Sequence, residues 1–184
     1  LFDALHNPAA TGNRDKEAAK FHKSITADLS AVSAIDEDRI LRRFMAIVLA
    51  TVRTNAFSAA ATEALAFKLD CAKVPGLPAP LPWREVFVYS PRVEGIHFRA
   101  GPVARGGLRW SDRRDDFRTE VLGLMKAQRV KNAVIVPTGA KGGFYPKRLP
   151  DMRVDRDAWF AKGTEAYKIF IRTLLSITDN IVND

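Results

Sequence analysis

Residues 101–147 read GPVARGGLRWSDRRDDFRTEVLGLMKAQRVKNAVIVPTGAKGGFYPK and decide the fold of this chain. This stretch contains two glycine pairs, Gly106-Gly107 and Gly142-Gly143, and each pair follows a cation, Arg105 or Lys141. Glycine allows the backbone to turn tightly or to approach a ligand closely, so a cation beside it can be held at the floor of a pocket. Two such arrangements in one stretch predict a site for a small anion.

The charge distribution supports an anion site in this stretch. Residues 101–150 carry 11 Lys and Arg against 4 Asp and Glu, a difference of 7 within a net charge of +8 for the whole chain. A basic excess around glycine turns fits carboxylate or phosphate binding, although a nucleic-acid-binding surface has a similar composition. The alternative is therefore a basic α/β binding module for nucleic acid or a small anionic ligand, without catalysis.

Length and composition narrow the class of protein. A chain of 184 residues with 47% hydrophobic residues buries a core, and this excludes collagen-like, disordered and disulfide-rich classes. The single Cys71 is expected to be a small buried hydrophobe in a reducing compartment such as the cytoplasm. No apolar run reaches the ~20 residues of a membrane helix. Because the chain starts at Leu1 rather than Met, we expect a piece cut from a longer polypeptide.

Helical and strand patterns alternate upstream of the deciding stretch. The polar, alanine-rich residues 1–35 predict a helical lead-in. Apolar residues from Ile40 to Val52 recur at helical spacing and predict a helix that continues to about Ala56. Strict alternation predicts strands at 65–69 and 94–99, and a β-branched and aromatic run predicts a third strand at 85–89.

Within the deciding stretch the pattern changes from helix to strand to loop. A helix with acidic residues in its first turn is predicted to run to about Asn132. The apolar run at 133–137 predicts a buried strand. Residues 138–143 predict a loop that places Lys141 beyond the carboxyl edge of a sheet, the usual ligand-binding position in α/β folds.

These elements predict an α/β fold with a mixed sheet flanked by helices and a helical N-terminal lead-in. The last helix is expected to start at Asp155 or Asp157. We assign residues 1–35 to the lead-in, or to the tail of a preceding domain, and residues 36–184 to one domain.

Lys141 is the strongest candidate for chemistry. A lysine held between an alanine and two glycines has little freedom to reach water, and desolvation beside other cations favours its neutral amine. We therefore predict a proton-transfer group or a carbonyl activator. Arg105 and Arg109 come from the first glycine loop, and Lys126 and Lys131 lie on the helix; these four are candidates to hold the two ends of a dicarboxylate.

Other motifs in the chain are weak. GAKGG lacks the Ser or Thr and the spacing of a nucleotide phosphate loop, and a single RGG without aromatic platforms is a poor indication of RNA binding. No Cys/His spacing indicates a metal site, and no Ser-His-Asp set is recognisable. We expect His97 to be a surface or structural histidine.

With these residues in view, the chain resembles the glutamate dehydrogenase superfamily. Residues 104–148, ARGGLRWSDRRDDFRTEVLGLMKAQRVKNAVIVPTGAKGGFYPKR, are similar to the large NAD-specific bacterial glutamate dehydrogenases, and the resemblance covers at least 65–184. It implies the substrate-binding domain of an amino-acid dehydrogenase, which oxidatively deaminates L-glutamate to 2-oxoglutarate and ammonia with NAD as hydride acceptor. It also implies a cytoplasmic homo-oligomer of amino-acid catabolism that binds neither nucleic acid nor membrane.

The resemblance also implies roles for particular residues. Lys141 matches the family's catalytic lysine, which polarises the substrate carbonyl and activates water. Lys131 is similar to the lysine that holds the α-carboxylate, with Lys126 as a rival because the interval to Lys141 is shorter than in the smaller enzymes. Arg105 and the glycine pair after it resemble the subsite for the side-chain carboxylate, where the smaller enzymes carry a lysine.

Two parts of the family pattern have no match in this chain. The catalytic aspartate, expected in a Pro-x-x-Asp-like context, does not occur before Asp184, and no G-x-G-x-x-G fingerprint is present. We therefore expect NAD to bind in a domain outside this chain, and we expect no turnover when the chain alone is incubated with glutamate and NAD.

Overall fold

The computed structural model describes residues 1–131 and 137–178 as helices packed around one mixed sheet. The helices are α1 (Phe2–His6), α2 (Arg14–Leu29), α3 (Ile35–Ala50), α4 (Phe117–Lys131) and α5 (Arg156–Leu175), with 3-10 turns at Ala59–Thr62 and Cys71–Lys73. The strands are β1 (Thr51–Thr54), β2 (Leu65–Asp70), β3 (Arg84–Tyr89), β4 (Val93–Arg99), β5 (Ala104–Arg105), β6 (Leu108–Trp110) and β7 (Thr138–Pro146). The predicted α/β class, with its mixed sheet and helical N-terminus, is confirmed.

The sheet places β7 in its interior. The strand order is β1-β2-β3-β4-β7, and both β5 and β6 pair with the free side of β7. Neighbours from β1 to β7 are antiparallel, whereas β5 and β6 run parallel to β7. Because β6 leads into α4, and α4 precedes β7, these elements form a βαβ unit that covers one face of the sheet.

Helices α4 and α5 cover opposite faces of the sheet. Alternate residues of β4 point to opposite sides, so Ile96 and Phe98 pack with α4 whereas Val93 packs with α5. The α4 side of this core contains Phe117, Val121, Leu122 and Met125, and the α5 side contains Phe144, Ala166, Ile169 and Phe170. Strand β7 is therefore covered on both faces.

The last helix begins as predicted. Asp155 is its N-cap, and its carboxylate accepts a hydrogen bond of 2.8 Å from the backbone N–H of Ala158. This bond satisfies one of the amide groups that have no partner within the first turn. The helix ends at Leu175.

The third helix is shorter than predicted. Helix α3 ends at Ala50 rather than near Ala56, and Thr51–Thr54 form the edge strand β1, which pairs antiparallel with β2. Val52 continues the helical spacing, but three of these four residues are β-branched and favour extended backbone once a neighbouring strand is available. The tertiary contact overrides the local pattern.

The segment that follows residue 137 is a strand rather than the predicted loop. Thr138–Pro146 form β7, so Lys141 lies within a central strand and not beyond the edge of the sheet. The prediction was wrong because a glycine-rich segment is typical of a loop. Glycine occurs within strands mainly where another group approaches the backbone closely, and α4 approaches β7 in this way. The strand predicted at 133–137 falls mainly on residues 132–136, which lie outside the described residues.

Two helical glycines give a matched test of the packing around α5. A Cβ atom at Gly163 would overlap the indole ring of Trp110, which also stacks on Trp159 with ring centroids 4.6 Å apart. A Cβ atom at Gly123, on α4, would meet nothing within 4 Å. We expect Gly163→Ala to cost about 1–3 kcal/mol in the free energy of unfolding, and Gly123→Ala to raise it by up to about 1 kcal/mol.

Urea unfolding of both variants, followed by circular dichroism, measures these changes as shifts of the midpoint in opposite directions. Equal midpoints for the two variants would contradict the contact between α5 and Trp110.

Candidate active site

The face of β7 that carries Lys141 is pressed closely against α4. A Cβ atom at Gly139 would lie 2.9 Å from the Cβ atom of Gln128, and a Cβ atom at Gly143 would overlap the side chain of Val121. Residues 139, 141 and 143 share one face of the strand, so Lys141 projects on the α4 side between these two contacts. The two glycines allow the helix to approach, and the lysine is half-buried between them.

The first glycine pair lies beside Lys141, in the connection between two neighbouring strands. Gly106 and Gly107 join β5 to β6, and the backbone N–H of Gly142 donates a hydrogen bond of 3.1 Å to the carbonyl oxygen of Gly107. A Cβ atom at Gly106 would overlap the carbonyl oxygen of Ala140, and a Cβ atom at Gly107 would lie 3.7 Å from Lys141 Nζ. The two glycine pairs predicted from the sequence therefore meet in space.

A cleft of about 450 Å³ opens next to the glycine pair, between β5 and the C-terminal turn of α4. It is lined by Arg105, Gly106, Gln128 and Lys131. The cleft is large enough for a small organic ligand. Because an arginine from the strand and a lysine from the helix reach the same cleft, its walls attract negatively charged groups.

Gln128 is a cleft residue that the sequence reasoning missed. Its side-chain oxygen is buried and has no hydrogen-bond partner among residues 1–131 and 137–178. The oxygen packs against the first glycine pair, because a Cβ atom at Gly106 would lie 2.8 Å from it. The available signal was its spacing, because Gln128 precedes Lys131 by three residues and shares its face of the helix.

The predicted site residues divide into two groups. Arg105, Gly106 and Lys131 line the cleft, and Gly107 and Lys141 lie directly beside it. Two others point elsewhere: the Nε of Arg109 donates a hydrogen bond of 2.9 Å to Glu120, and neither Arg109 nor Lys126 is among the lining residues. Of the two rival lysines on α4, Lys131 lines the cleft and Lys126 does not.

Ion pairs hold several of the other cations of residues 101–150. Arg118 makes two hydrogen bonds, of 2.9 and 2.7 Å, to the buried carboxylate of Glu85, and Arg113 pairs with Asp116 at 3.1 Å. Arg105, Lys131 and Lys141 have no such partner within the described part of the chain. Their charge remains available to an anionic ligand.

Two further titratable residues lie away from the cleft. Burial, with a smaller contribution from Arg99, lowers the pKa of His97 to about 4, and its ring packs against Gly142 on the face opposite α4. Burial raises the pKa of the free Cys71 thiol to about 12, as expected for a small buried hydrophobe rather than a reactive group. His97 is neutral at pH 7 and fits the predicted structural role.

Two classes of site are not found in the part of the chain that the structure describes. Residues 1–131 and 137–178 contain no group of three or more His, Cys, Asp or Glu side chains arranged to hold a metal ion. Across the same residues, every helix is too short or too polar to cross a bilayer.

The fold and cleft define an α/β domain in which a lysine on a central strand adjoins a cation-lined cleft. Residues 24–184 match the family described as bacterial NAD-glutamate dehydrogenase, catalytic domain, and the chain belongs to this family.

Three curated relatives are named NAD-specific glutamate dehydrogenase. This chain is 56% identical to the protein of Mycobacterium tuberculosis, 52% identical to that of Halomonas elongata and 54% identical to that of Pseudomonas aeruginosa. The three alignments cover 98%, 99% and 88% of this chain, respectively. The chain spans only 12%, 11% and 10% of these relatives, respectively.

Proposed function

We propose that this chain forms the substrate-binding part of an NAD-dependent glutamate dehydrogenase, which converts L-glutamate, NAD⁺ and water to 2-oxoglutarate, ammonium, NADH and a proton. The observation that carries the proposal is the cleft between Arg105 and Lys131, two cations without carboxylate partners among the described residues, in a chain of this family. The basic binding module, our alternative from the sequence, is not favoured by that family membership.

The cleft suits a dicarboxylate held at both ends. We assign the side-chain carboxylate of the substrate to Arg105, whose planar guanidinium can make two parallel hydrogen bonds to it. Lys131, on the helical wall, holds the α-carboxylate. Fixing both ends leaves the α-carbon little freedom to rotate.

We assign the chemistry at the α-carbon to Lys141. Its amine lies beside Gly107, next to the cleft, and the packing of α4 limits its contact with bulk water. As an ammonium group it polarises the carbonyl oxygen of 2-oxoglutarate, and as a neutral amine it accepts a proton from the water that replaces the amino group. The same residue therefore serves both directions of the reaction.

We assign the cleft to the substrate rather than to NAD. The volume of about 450 Å³ between two cationic walls suits a small diacid, and the chain contains no G-x-G-x-x-G fingerprint. When bound, NAD supplies the hydride acceptor. We place its binding outside this chain, and the greater length of the relatives supports that assignment.

We further propose a cytoplasmic homo-oligomer that acts in glutamate catabolism. The free, buried Cys71 suits a reducing compartment. We also propose, as from the sequence, that residues 1–35 form a lead-in and that residues 36–184 form the substrate domain.

Titration of the chain with 2-oxoglutarate and with 2-oxobutyrate, which lacks the side-chain carboxylate, tests the assignment. Arg105→Ala should weaken 2-oxoglutarate binding by about tenfold or more and leave 2-oxobutyrate unaffected, because only the diacid reaches the arginine. Lys131→Ala should weaken the binding of both 2-oxoglutarate and 2-oxobutyrate. Ligand-induced NMR shifts measure these affinities even in the millimolar range.

Arg114→Ala and Lys168→Ala are the matched controls, because both side chains are exposed and lie outside the cleft. Equal losses in the cleft variants and these controls would mean that net charge alone binds the diacid, and the assigned clamp would be wrong.

A further inference from the structure

A cluster centred on Glu120 joins the end of β6 to the first turn of α4. One carboxylate oxygen accepts a hydrogen bond of 2.6 Å from the hydroxyl of Ser111, and the other accepts one of 2.9 Å from Arg109 Nε. Ser111 is fully buried, and its backbone N–H donates to the carbonyl oxygen of Phe144 on β7 at 2.9 Å. The cluster therefore fixes β6, α4 and β7 to one another.

Glu120 is a carboxylate at neutral pH. The hydrogen bond from Ser111, assisted by the one from Arg109 and opposed by partial burial, holds the pKa of Glu120 below its usual range. Its side chain is only 14% exposed, whereas that of Arg109 is 52% exposed. A largely buried carboxylate with two charge-assisted or short hydrogen bonds keeps one position, and this suits an anchor.

The anchor connects the two walls of the cleft. Arg105 precedes Arg109 by four residues on the broken strand β5–β6, and Lys131 follows Glu120 on the same continuous helix. The eight residues from Glu120 to the cleft residue Gln128 span about 12 Å of helix, a distance over which a helix behaves as a rigid rod. A shift of α4 at Glu120 is thus transmitted to Lys131.

We propose that Glu120 is a positioning residue that sets the separation between Arg105 and Lys131, and so determines the length of dicarboxylate that the cleft prefers. The inference rests on the proposed function. It also gives Arg109 a role other than substrate contact: its guanidinium holds Glu120, which in turn holds the helix.

The test compares 2-oxoglutarate with 2-oxoadipate, which is longer by one methylene. In the unmodified chain we expect 2-oxoglutarate to bind more tightly. Glu120→Gln keeps the shape of the side chain but loses its charge, and we expect the ratio of the two affinities to shrink by at least about fivefold, since one methylene is worth about 10-fold or more in a well-fitted site. Glu120→Asp should restore part of the ratio.

A general loss of stability would weaken the binding of both diacids alike. The ratio of the two affinities therefore distinguishes a positioning role from a purely structural one. Glu165→Gln is the matched control, because Glu165 also pairs with an arginine, Arg92, at 2.7 Å but lies on α5. If Glu120→Gln fails to fold, Ser111→Ala removes one of the two hydrogen bonds, and a smaller change of the ratio is expected.

An unchanged ratio in the folded Glu120 or Ser111 variants overturns this inference while leaving the proposed function intact. Failure of the unmodified chain to bind either diacid would overturn both.

Discussion

Replacing Lys141 with methionine in the full-length enzyme should lower kcat for glutamate oxidation by about 10³-fold, with KM changed by less than about fivefold. Methionine keeps the length of the side chain and its apolar stem but removes the amine, and loss of an acid–base or electrophilic group commonly costs about 10²–10⁴-fold in rate. KM changes little because Arg105 and Lys131, which line the cleft, retain the carboxylates. Initial rates of NADH formation over a range of glutamate concentrations separate the two constants.

The matched control for Lys141→Met is Lys168→Met, since Lys168 is exposed on α5 and lies outside the cleft. Lys168→Met should leave both constants unchanged. A kcat for Lys141→Met within threefold of the unmodified enzyme would remove the lysine from the chemistry, even if the cleft binds the substrate. A rise in KM alone would instead make Lys141 a binding residue.

The cations and glycines that lie in or beside the cleft could be singled out from the sequence because the signal was local. A cation directly before a glycine pair occurs twice, and the two pairs come together through the pairing of β5 and β6 with β7. The α/β class was equally accessible, since β3 and β4 carry the residue types and alternation of strands, and Asp155 is a good N-cap. Local chemistry and final structure agree at these positions.

The sequence alone could not predict that residues 138–146 form a strand, because the reason lies in the packing of another element, α4. Gly139 and Gly143 lack side chains to make room for α4, so a strand in the interior of the sheet has the composition of a loop. Gln128 lies on the same helix. Its residue type predicts a side chain that faces solvent, and only its contact with Gly139 shows that it packs against the sheet. Both errors arise where tertiary packing removes the local signal.

Arg109 shows the same limit for charged residues. From the sequence it follows the first glycine pair and is a reasonable ligand for a carboxylate. Its partner is instead Glu120, which is 11 residues away and approaches only because α4 folds back over the sheet. Charge pairing across elements depends on topology, so spacing alone could not predict that Glu120 is a partner of this arginine.

Alanine at Gly106 should destabilise the chain by about 3 kcal/mol or more and abolish detectable binding of 2-oxoglutarate. The new Cβ atom would overlap the backbone oxygen of Ala140, and no side-chain rotation relieves a clash with a backbone atom, so the cost reaches the upper end of that for overpacking. Relief requires β5 to move away from β7, and this movement displaces Arg105, the residue immediately before the glycine. Urea unfolding and ligand titration measure the two effects.

Gly107 provides the control at the adjacent position. A Cβ atom there would meet only Lys141 Nζ at 3.7 Å, an ordinary contact with the end of a flexible side chain. Gly107→Ala should therefore change the free energy of unfolding by less than about 1 kcal/mol. Equal stability of the two variants would mean that the break between β5 and β6 does not abut β7. The wall that carries Arg105 would then lie elsewhere, and a diacid clamp could not form between it and Lys131.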